Sequence, residues 1–387
     1  MMRRVLYTIP AFLIFLSSSA GISSLPEVNA VLSDVRKAHS RLWSEDGRIR
    51  PVKSQIDTAN DPLAYADTIS EDIKPAGIMF YNVENLFDVR DDSLTNDNEF
   101  LPDSPRRWTR YRMDEKCRNL SRVILNAGAW NPPVLVGLCE VENAWILGRL
   151  LYNTGLNNTG YKSVHYDSPD ERGIDVALLY LTSRFEVLES RPVSVGLLDD
   201  GSPTRDILYV KGIVDNYDTL HVFVNHWPSR YGGAEASRPR RLQAAQVLTA
   251  VVDSVRNTYP LANIVLMGDF NEDHDSDFFR DNLATGGLDE DTPLYAPALG
   301  LESGLGTLKY RYQWQVFDQI IVSRGLLAPS SRLCLKDPVM SIVRLPFLLE
   351  QDDRYGGQKP FRTYVGMRYQ GGYSDHLPVM IYLEKCK

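Results

Sequence analysis

The chain has 387 residues, 43% of them hydrophobic and 24% charged, enough apolar material for one large α/β domain or two smaller ones. A formal net charge of -8 excludes a general electrostatic grip on nucleic acid and leaves room only for a local basic patch. The four cysteines, Cys117, Cys139, Cys334 and Cys386, show no CxxC or Cys/His spacing, which argues against a structural zinc cluster.

In chain order, Arg3 and Arg4 precede an apolar run from Val5 to Leu16, and Ser18-Ser19-Ala20 supplies small residues before Gly21. This is the pattern of a secretory signal over residues 1–20, and the run is too short to span a bilayer comfortably. The mature chain is therefore expected to be exported, periplasmic or extracellular, with no transmembrane span. In an oxidising compartment Cys334 could pair with Cys386, a point the sequence leaves open. Residues 21–74 carry a short helical pattern at Val28, Leu32 and Val35 and read as a leader without chemistry.

Pro75-Ala76-Gly77 opens the first core strand, Ile78 to Asn82, whose end carries Asn82-Val83-Glu84-Asn85. A polar loop over 88–108 leads to a helix with Met113, Cys117, Leu120, Val123 and Ile124 at three-to-four spacing, stopped by Gly128. Val134 to Leu138 is a second buried strand, running into Glu140. A carboxylate at the end of such a strand must be paired or face a cleft, because burying it alone is costly. A helix through Trp145 and Leu150 follows. Asp175 sits near the start of the strand Gly173 to Tyr180. Ile207–Val210 and His221–Asn225 read as two hairpin-connected strands, the second running into His226.

Arg230, Arg238, Arg240 and Arg241 follow in a Gly-rich stretch before a helix over about 240–255. A helix surface accounts for Arg240 and Arg241; a phosphate clamp accounts better for Arg230 and Arg238, with a solvated helix start as the alternative. Asn263 to Met267 is a short β-branched strand. Gly268 allows a turn there, and Asp269 and Asn271 project from the strand's C-terminal end, where open sheets place ligand sites. Residues 273–305 form an acidic, Gly-rich excursion. Tyr312 to Val322 reads as one strand interrupted by Asp318. Asp375 and His376 precede the terminal strand, Val379 to Tyr382.

These strand ends gather carboxylates, amides and two histidines. Such a hard-oxygen set suits Mg²⁺, with Mn²⁺ or Ca²⁺ as alternatives, and acids with imidazoles and a divalent cation suit hydrolysis of a phosphate ester.

The ordered stretches Tyr81-Asn-Val-Glu-Asn-Leu-Phe87, Gly137-Leu-Cys-Glu-Val141, Gly173-Ile-Asp175, Asn225-His-Trp-Pro228, Gly268-Asp-Phe-Asn271, Phe317-Asp-Gln-Ile320 and Ser374-Asp-His-Leu-Pro378 resemble the endonuclease/exonuclease/phosphatase superfamily, from about residue 76 onward. The resemblance implies a catalytic domain over 75–387 of α/β (α+β) class. Its fold would be a four-layer αββα sandwich, two packed, mainly antiparallel β-sheets flanked by helices. It also implies roles. Glu140 would be the principal metal ligand, with Asn82, Glu84 and Asp375 beside it. Asp269 would activate water and Asn271 position the phosphate. His376, oriented by Asp318, would contact the scissile phosphate, and His226, oriented by Asp175, would be the second histidine. The expected activity is metal-dependent hydrolysis of nucleic-acid phosphodiesters by in-line water attack. Sphingomyelin, inositol phosphates or another small phosphoester are the alternatives, and a non-catalytic binding module on the same fold is a third. Nucleic acid is preferred to membrane lipid because the sequence offers no compact exposed aromatic finger, Trp227 and Trp314 both falling in buried patterns. No stable protein partner is expected.

Overall fold

The computed structural model describes residues 74–386, apart from 129, 130 and 329. The expected signal, 1–20, and the leader up to residue 73 lie outside the described residues. Two seven-stranded mixed sheets pack against each other. The first contains β1 (Ala76–Leu86), β2 (Leu135–Val141), β3 (Tyr161–His165), β4 (Asp175–Leu181), the C-terminal strand Val379–Lys385 and two short edge strands. The second contains β5 (Phe185–Val193), β6 (Ile207–Val214), β7 (Asp218–His226), β8 (Asn263–Asp269), the strand Asp318–Ser323 and two short strands from the acidic excursion.

Among the described residues, four helices complete the layers. α1 (Arg110–Ala127) and α2 (Ala144–Tyr152) cover the first sheet; α3 (Ala234–Thr258) and α4 (Asp277–Leu283) cover the second. Alternation along each strand explains why the runs look apolar throughout. Ile78 and Phe80 of β1 point into the core between the sheets, whereas Met79, Tyr81 and Val83 meet α1 and α2. On β8, Val265 and Met267 face inward, and Ile264 and Leu266 meet α3. Strands buried on both faces have no polar face to show. Cys117 and Cys139 are buried among these layers as free thiols, and Cys334 is bonded to Cys386 with Cα atoms 5.2 Å apart. No helix among the described residues is long and apolar enough to cross a membrane.

The pairing is mainly antiparallel, with a parallel pair in the middle of each sheet, β1 with β2 and β7 with β8, and a third between the two short strands at the edge of the second sheet. The C-terminal ends of those four strands carry Asn82, Glu140, His226 and Asp269. The starts of antiparallel neighbours bring Asp175 and Asp318 to the same end of the sandwich.

Three local expectations change. Gly268 does not turn the chain; it lies within β8 opposite Asn225. A Cβ there would stand 2.6 Å from Asn225 Cβ and 2.7 Å from its carbonyl oxygen, so glycine serves close strand approach. The stretch 312–322 is not one strand. Asp273 Oδ1 accepts the Val316 amide at 3.1 Å and draws the backbone off the ladder. Leu308–Tyr310 and Gln313–Gln315 pair as a separate hairpin, and the sheet strand begins at Asp318. Finally, α3 begins at Ala234, earlier than expected, which turns Arg241 inward to 1% exposure.

Candidate active site

Two bulges aim the first half of the site. The β1–β2 register shifts between Asn82 and Leu86, and the β2–β4 register shifts between Cys139 and Val141. A bulge inserts an extra residue, bends the strand and re-aims a side chain. Glu84, Asn85 and Glu140 consequently sit at φ of 50°, 55° and 63°, and Asn271 after β8 at 51°. Left-handed backbone costs a non-glycine residue roughly 1–2 kcal/mol, and such strain concentrates where chemistry needs a fixed geometry.

Asp269 is the centre of the arrangement. Its Oδ1 accepts the Asn271 amide and its Oδ2 accepts Asn82 Nδ2, both at 3.0 Å. The Nε2 atoms of His226 and His376 each stand 3.9 Å from that same Oδ2. Burial pushes the Asp269 carboxyl up to about 6 against the pull of His376. The two imidazoles are driven apart. Burial opposes a charge on His376, but Asp318, 2.6 Å from its Nδ1, together with Asp269 and Asp375, holds it well above the ordinary imidazole value. Burial, then Arg205 and Arg172, press His226 well below that value. The surroundings of His376 therefore favour the imidazolium and those of His226 the neutral ring, with Asp269 between them. Asn271 donates from Nδ2 to Trp227 O at 3.0 Å, which pins the end of β8 to the segment after β7.

On the other side of Asn82 lie the remaining acids. Glu140 is half-buried; its Oε2 accepts the Asn85 amide at 2.9 Å and its Oε1 faces Asn82 Nδ2 at 3.4 Å. Glu84 is buried and both its oxygens are taken, Oε1 by Arg362 at 2.9 Å and Oε2 by the Thr363 amide at 2.7 Å. Arg362 also reaches Asp375 Oδ2 at 2.9 Å. Beneath them Lys116 is fully buried, donating to Thr363 Oγ1 and the Tyr373 carbonyl, and burial lowers it to about 8 against the pull of Glu84, Asp375 and Glu140.

The donor set is oxygen-only and buried or half-buried, which suits a hard divalent cation and not a thiophilic one. Among these groups Glu140 and Asp375 keep open lone pairs and partial exposure. Two of the expected ligands are turned elsewhere. Asn82 presents its nitrogen to Glu140 and Asp269 while its Oδ1 accepts the Glu84 amide at 3.0 Å, so it bridges carboxylates. Glu84 is neutralised by Arg362.

Asp175 does not orient His226. Its Oδ2 meets His165 Nε2 at 3.0 Å and its Oδ1 accepts Ser168 N and Oγ, leaving His226 Nδ1 buried without a partner. Arg230 and Arg238 do not form an open clamp. Arg230 bonds Asn271 O at 2.8 Å and Glu272 Oε2 at 3.0 Å, and Arg238 lies over the Phe278 ring. Sequence reasoning missed Arg362, Lys116 and His165. Arg362 and Lys116 reach the site from long range in sequence and carry no local signal; His165, ten residues before Asp175 on the neighbouring strand, was open to a strand-pairing argument.

The sequence pattern of the Endonuclease/Exonuclease/phosphatase family matches residues 77–385. No curated protein matches the chain. Solved structures share its fold at low identity. Humanized D. rerio TDP2 is 16% identical, with 80% of this chain and 99% of that chain covered and a TM-score of 0.50. A mannosyl-6-phosphatase from Bacteroides thetaiotaomicron is 14% identical, with coverage of 80% and 99% and a TM-score of 0.51. An endonuclease/exonuclease/phosphatase family protein from the same organism is also 14% identical, with coverage of 80% and 98% and a TM-score of 0.51.

Proposed function

Because the chain belongs to the endonuclease/exonuclease/phosphatase family, whose members are phosphoesterases, we propose that it is an exported, divalent-metal-dependent phosphodiesterase acting on nucleic acid. The observation that carries the chemistry is the buried Asp269, whose Oδ2 stands 3.9 Å from Nε2 of both His226 and His376, with Asp318 2.6 Å behind His376 at its Nδ1. A buried carboxylate beside a carboxylate-backed histidine offers one site both a base and an acid.

Glu140 and Asp375 would hold the cation. When bound, Mg²⁺ or a similar ion would offset the negative charge of the phosphate and polarise its oxygens. Asp269 accepts a proton from water as the water oxygen bonds to phosphorus in line with the departing ester oxygen. His376, charged and tethered to Asp318, donates to an oxygen of the phosphate or to the leaving oxygen. His226, kept neutral, holds its Nε2 toward the same space, and Asn82 fixes the spacing between Glu140 and Asp269. Arg362, with 40% of its side chain exposed, stands at the mouth with Arg172, which bonds Asn85. Arg362 is paired with Glu84 and Asp375 much as Arg230 is with Glu272, so the exposed Arg172, bonded to the neutral Asn85, is the cation left to meet an incoming anion.

A substrate panel tests this reading: single-stranded DNA, RNA, sphingomyelin, inositol phosphates and a mannose 6-phosphate ester, each with Mg²⁺, Mn²⁺ or Ca²⁺. Nucleic acid should be cleaved, activity should vanish in excess chelator, and added metal should restore it. Hydrolysis of only a lipid or a small phosphoester, or full turnover in chelator, contradicts it.

Export is part of the same proposal. Its supports are the pattern over residues 1–20 and the Cys334–Cys386 bond, a bond that persists in oxidising compartments. Exported material should begin near Gly21. Without reductant, only Cys117 and Cys139 should alkylate on unfolding. An intact Met1, or four reactive thiols, would overturn the export reading.

A further inference from the structure

The hairpin Leu308–Gln315, of which the sequence assigned only Tyr312–Gln315 to a strand pattern, stands at the surface. Tyr310 is 61% exposed and Tyr312 is 73% exposed. A second hairpin, Leu349–Gln351 with Gln358–Pro360, lies alongside. The two are locked together by Lys309, which donates to Asp352 at 2.9 Å and to the Gly356 carbonyl in a nearly solvent-free pair. Their tips meet: the Tyr312 and Tyr355 rings are 5.1 Å apart, edge to face. Each tip carries an arginine beside its aromatic ring, Arg311 over Tyr310 and Arg354 over Tyr355.

The patch is continuous with the site. Leu308 bridges to His376, the Leu377 amide donates to Thr307 O at 2.6 Å, and Thr307 Oγ1 accepts the Asp318 amide at 3.3 Å. The hairpin thus grows out of the Asp318–His376 pair. At roughly 3.3 Å per residue its tip lies about 10 Å from Leu308, the rise of about three stacked nucleotides. Arg311 also holds a φ of 56° at the turn, where glycine would be relaxed. A non-glycine residue in left-handed backbone at an exposed tip is in keeping with a role for its side chain.

We propose that Tyr310, Tyr312 and Tyr355, with Arg311 and Arg354, form a platform on which bases of a single-stranded polynucleotide stack as the strand enters the site. This rests on the phosphodiesterase reading and adds the form of the substrate. Bases in a duplex already stack on each other, so a platform of two exposed rings with the half-buried Tyr355 beside them selects unpaired strands; the arginines meet the phosphates between them. A membrane surface is disfavoured by the tip chemistry. The exposed rings there are tyrosines, interleaved with Arg311, Arg354 and Asp353, with no exposed Leu, Ile, Phe or Trp among them. Trp314 is half-buried under Arg344.

Fluorescence anisotropy of a labelled oligothymidylate of about a dozen nucleotides, a length within typical single-strand site sizes, measures the platform directly. The full chain carrying Asp269→Asn is used so that the strand is not cut. Tyr312→Ala with Tyr355→Ala should weaken binding about tenfold or more, as loss of base stacking does. Tyr312→Trp should retain binding, and a duplex of equal length should bind less well than the single strand. In the otherwise wild-type chain, the same alanine pair should leave turnover of a bis-nitrophenyl phosphodiester unchanged. Unchanged single-strand affinity in the alanine pair, in protein with an unaltered melting curve, overturns the platform. So does binding to anionic phospholipid vesicles that depends on the tyrosines while no oligothymidylate binds. Absence of any phosphodiester turnover by the wild type would instead overturn the catalytic reading, and the binding measurement would still judge the platform.

Discussion

Replacing Asp269 by asparagine is expected to lower turnover by roughly 10²- to 10⁴-fold, the usual contribution of a positioned acid or base. The change is nearly isosteric and keeps one of the two acceptors, so one of the bonds from Asn82 and the Asn271 amide is lost while the rest of the site's framework should persist. Stability should not fall with activity. Burial raises the Asp269 carboxyl to about 6, above its unfolded value, so the folded state binds that proton more tightly. Its contribution is therefore fully present at acid pH and is lost as pH rises through about 6. At pH 7 and above the anion is a cost to the fold that asparagine does not carry. The rate has the opposite dependence: the wild-type enzyme should lose activity as pH falls through about 6, when the base is protonated. An asparagine variant with near-normal turnover, or a wild-type rate flat from pH 5 to 8, would remove Asp269 from the role of base.

Glu272→Ala should have the largest effect on stability, a loss of about 3–5 kcal/mol in urea unfolding, as expected when one partner of a buried ion pair is removed. Glu272 is buried and accepts Arg241 Nε at 2.7 Å and Arg230 Nη2 at 3.0 Å. Arg241 is 1% exposed, and its remaining bonds go to Ser237 Oγ and the Ala234 carbonyl. Without Glu272 its charge stays buried with only neutral acceptors. The same network holds the catalytic loop, because Arg230 also bonds Asn271 O and Gln319 donates to the Glu272 carbonyl. Turnover should consequently fall in the folded protein as well. A loss under about 1 kcal/mol, the size of an exposed pair, would show that water reaches Arg241.

Much of this molecule was legible in its sequence. The strands of the double sheet announce themselves as short β-branched runs, and chemistry-bearing residues sit at their ends because a strand buried on both faces has nowhere else to carry charge. Asn82, Glu140, His226, Asp269, Asp318 and His376 were found in that way, and the order of their motifs carries the family. The three-to-four spacing of the first helix also placed Cys117 on its apolar face.

What only the tertiary structure decided is which of two neighbours each polar atom chooses. A carboxylate or guanidinium binds whatever partner lies about 3 Å away, and that partner is often far along the chain. Asp175 takes His165 and not His226; Glu84 takes Arg362, 278 residues away. Arg230 takes Glu272 and is withdrawn from substrate. Exposure is decided at the same level. Arg241 belongs to a charged run that reads as surface, yet the earlier start of α3 turns it inward. Tyr312 belongs to a run that reads as strand, yet Asp273 captures the Val316 amide, and Tyr312 stands with Tyr310 on an exposed hairpin beside His376. Periodicity reports burial averaged over an element, and it cannot report a single long-range hydrogen bond that ends the element early.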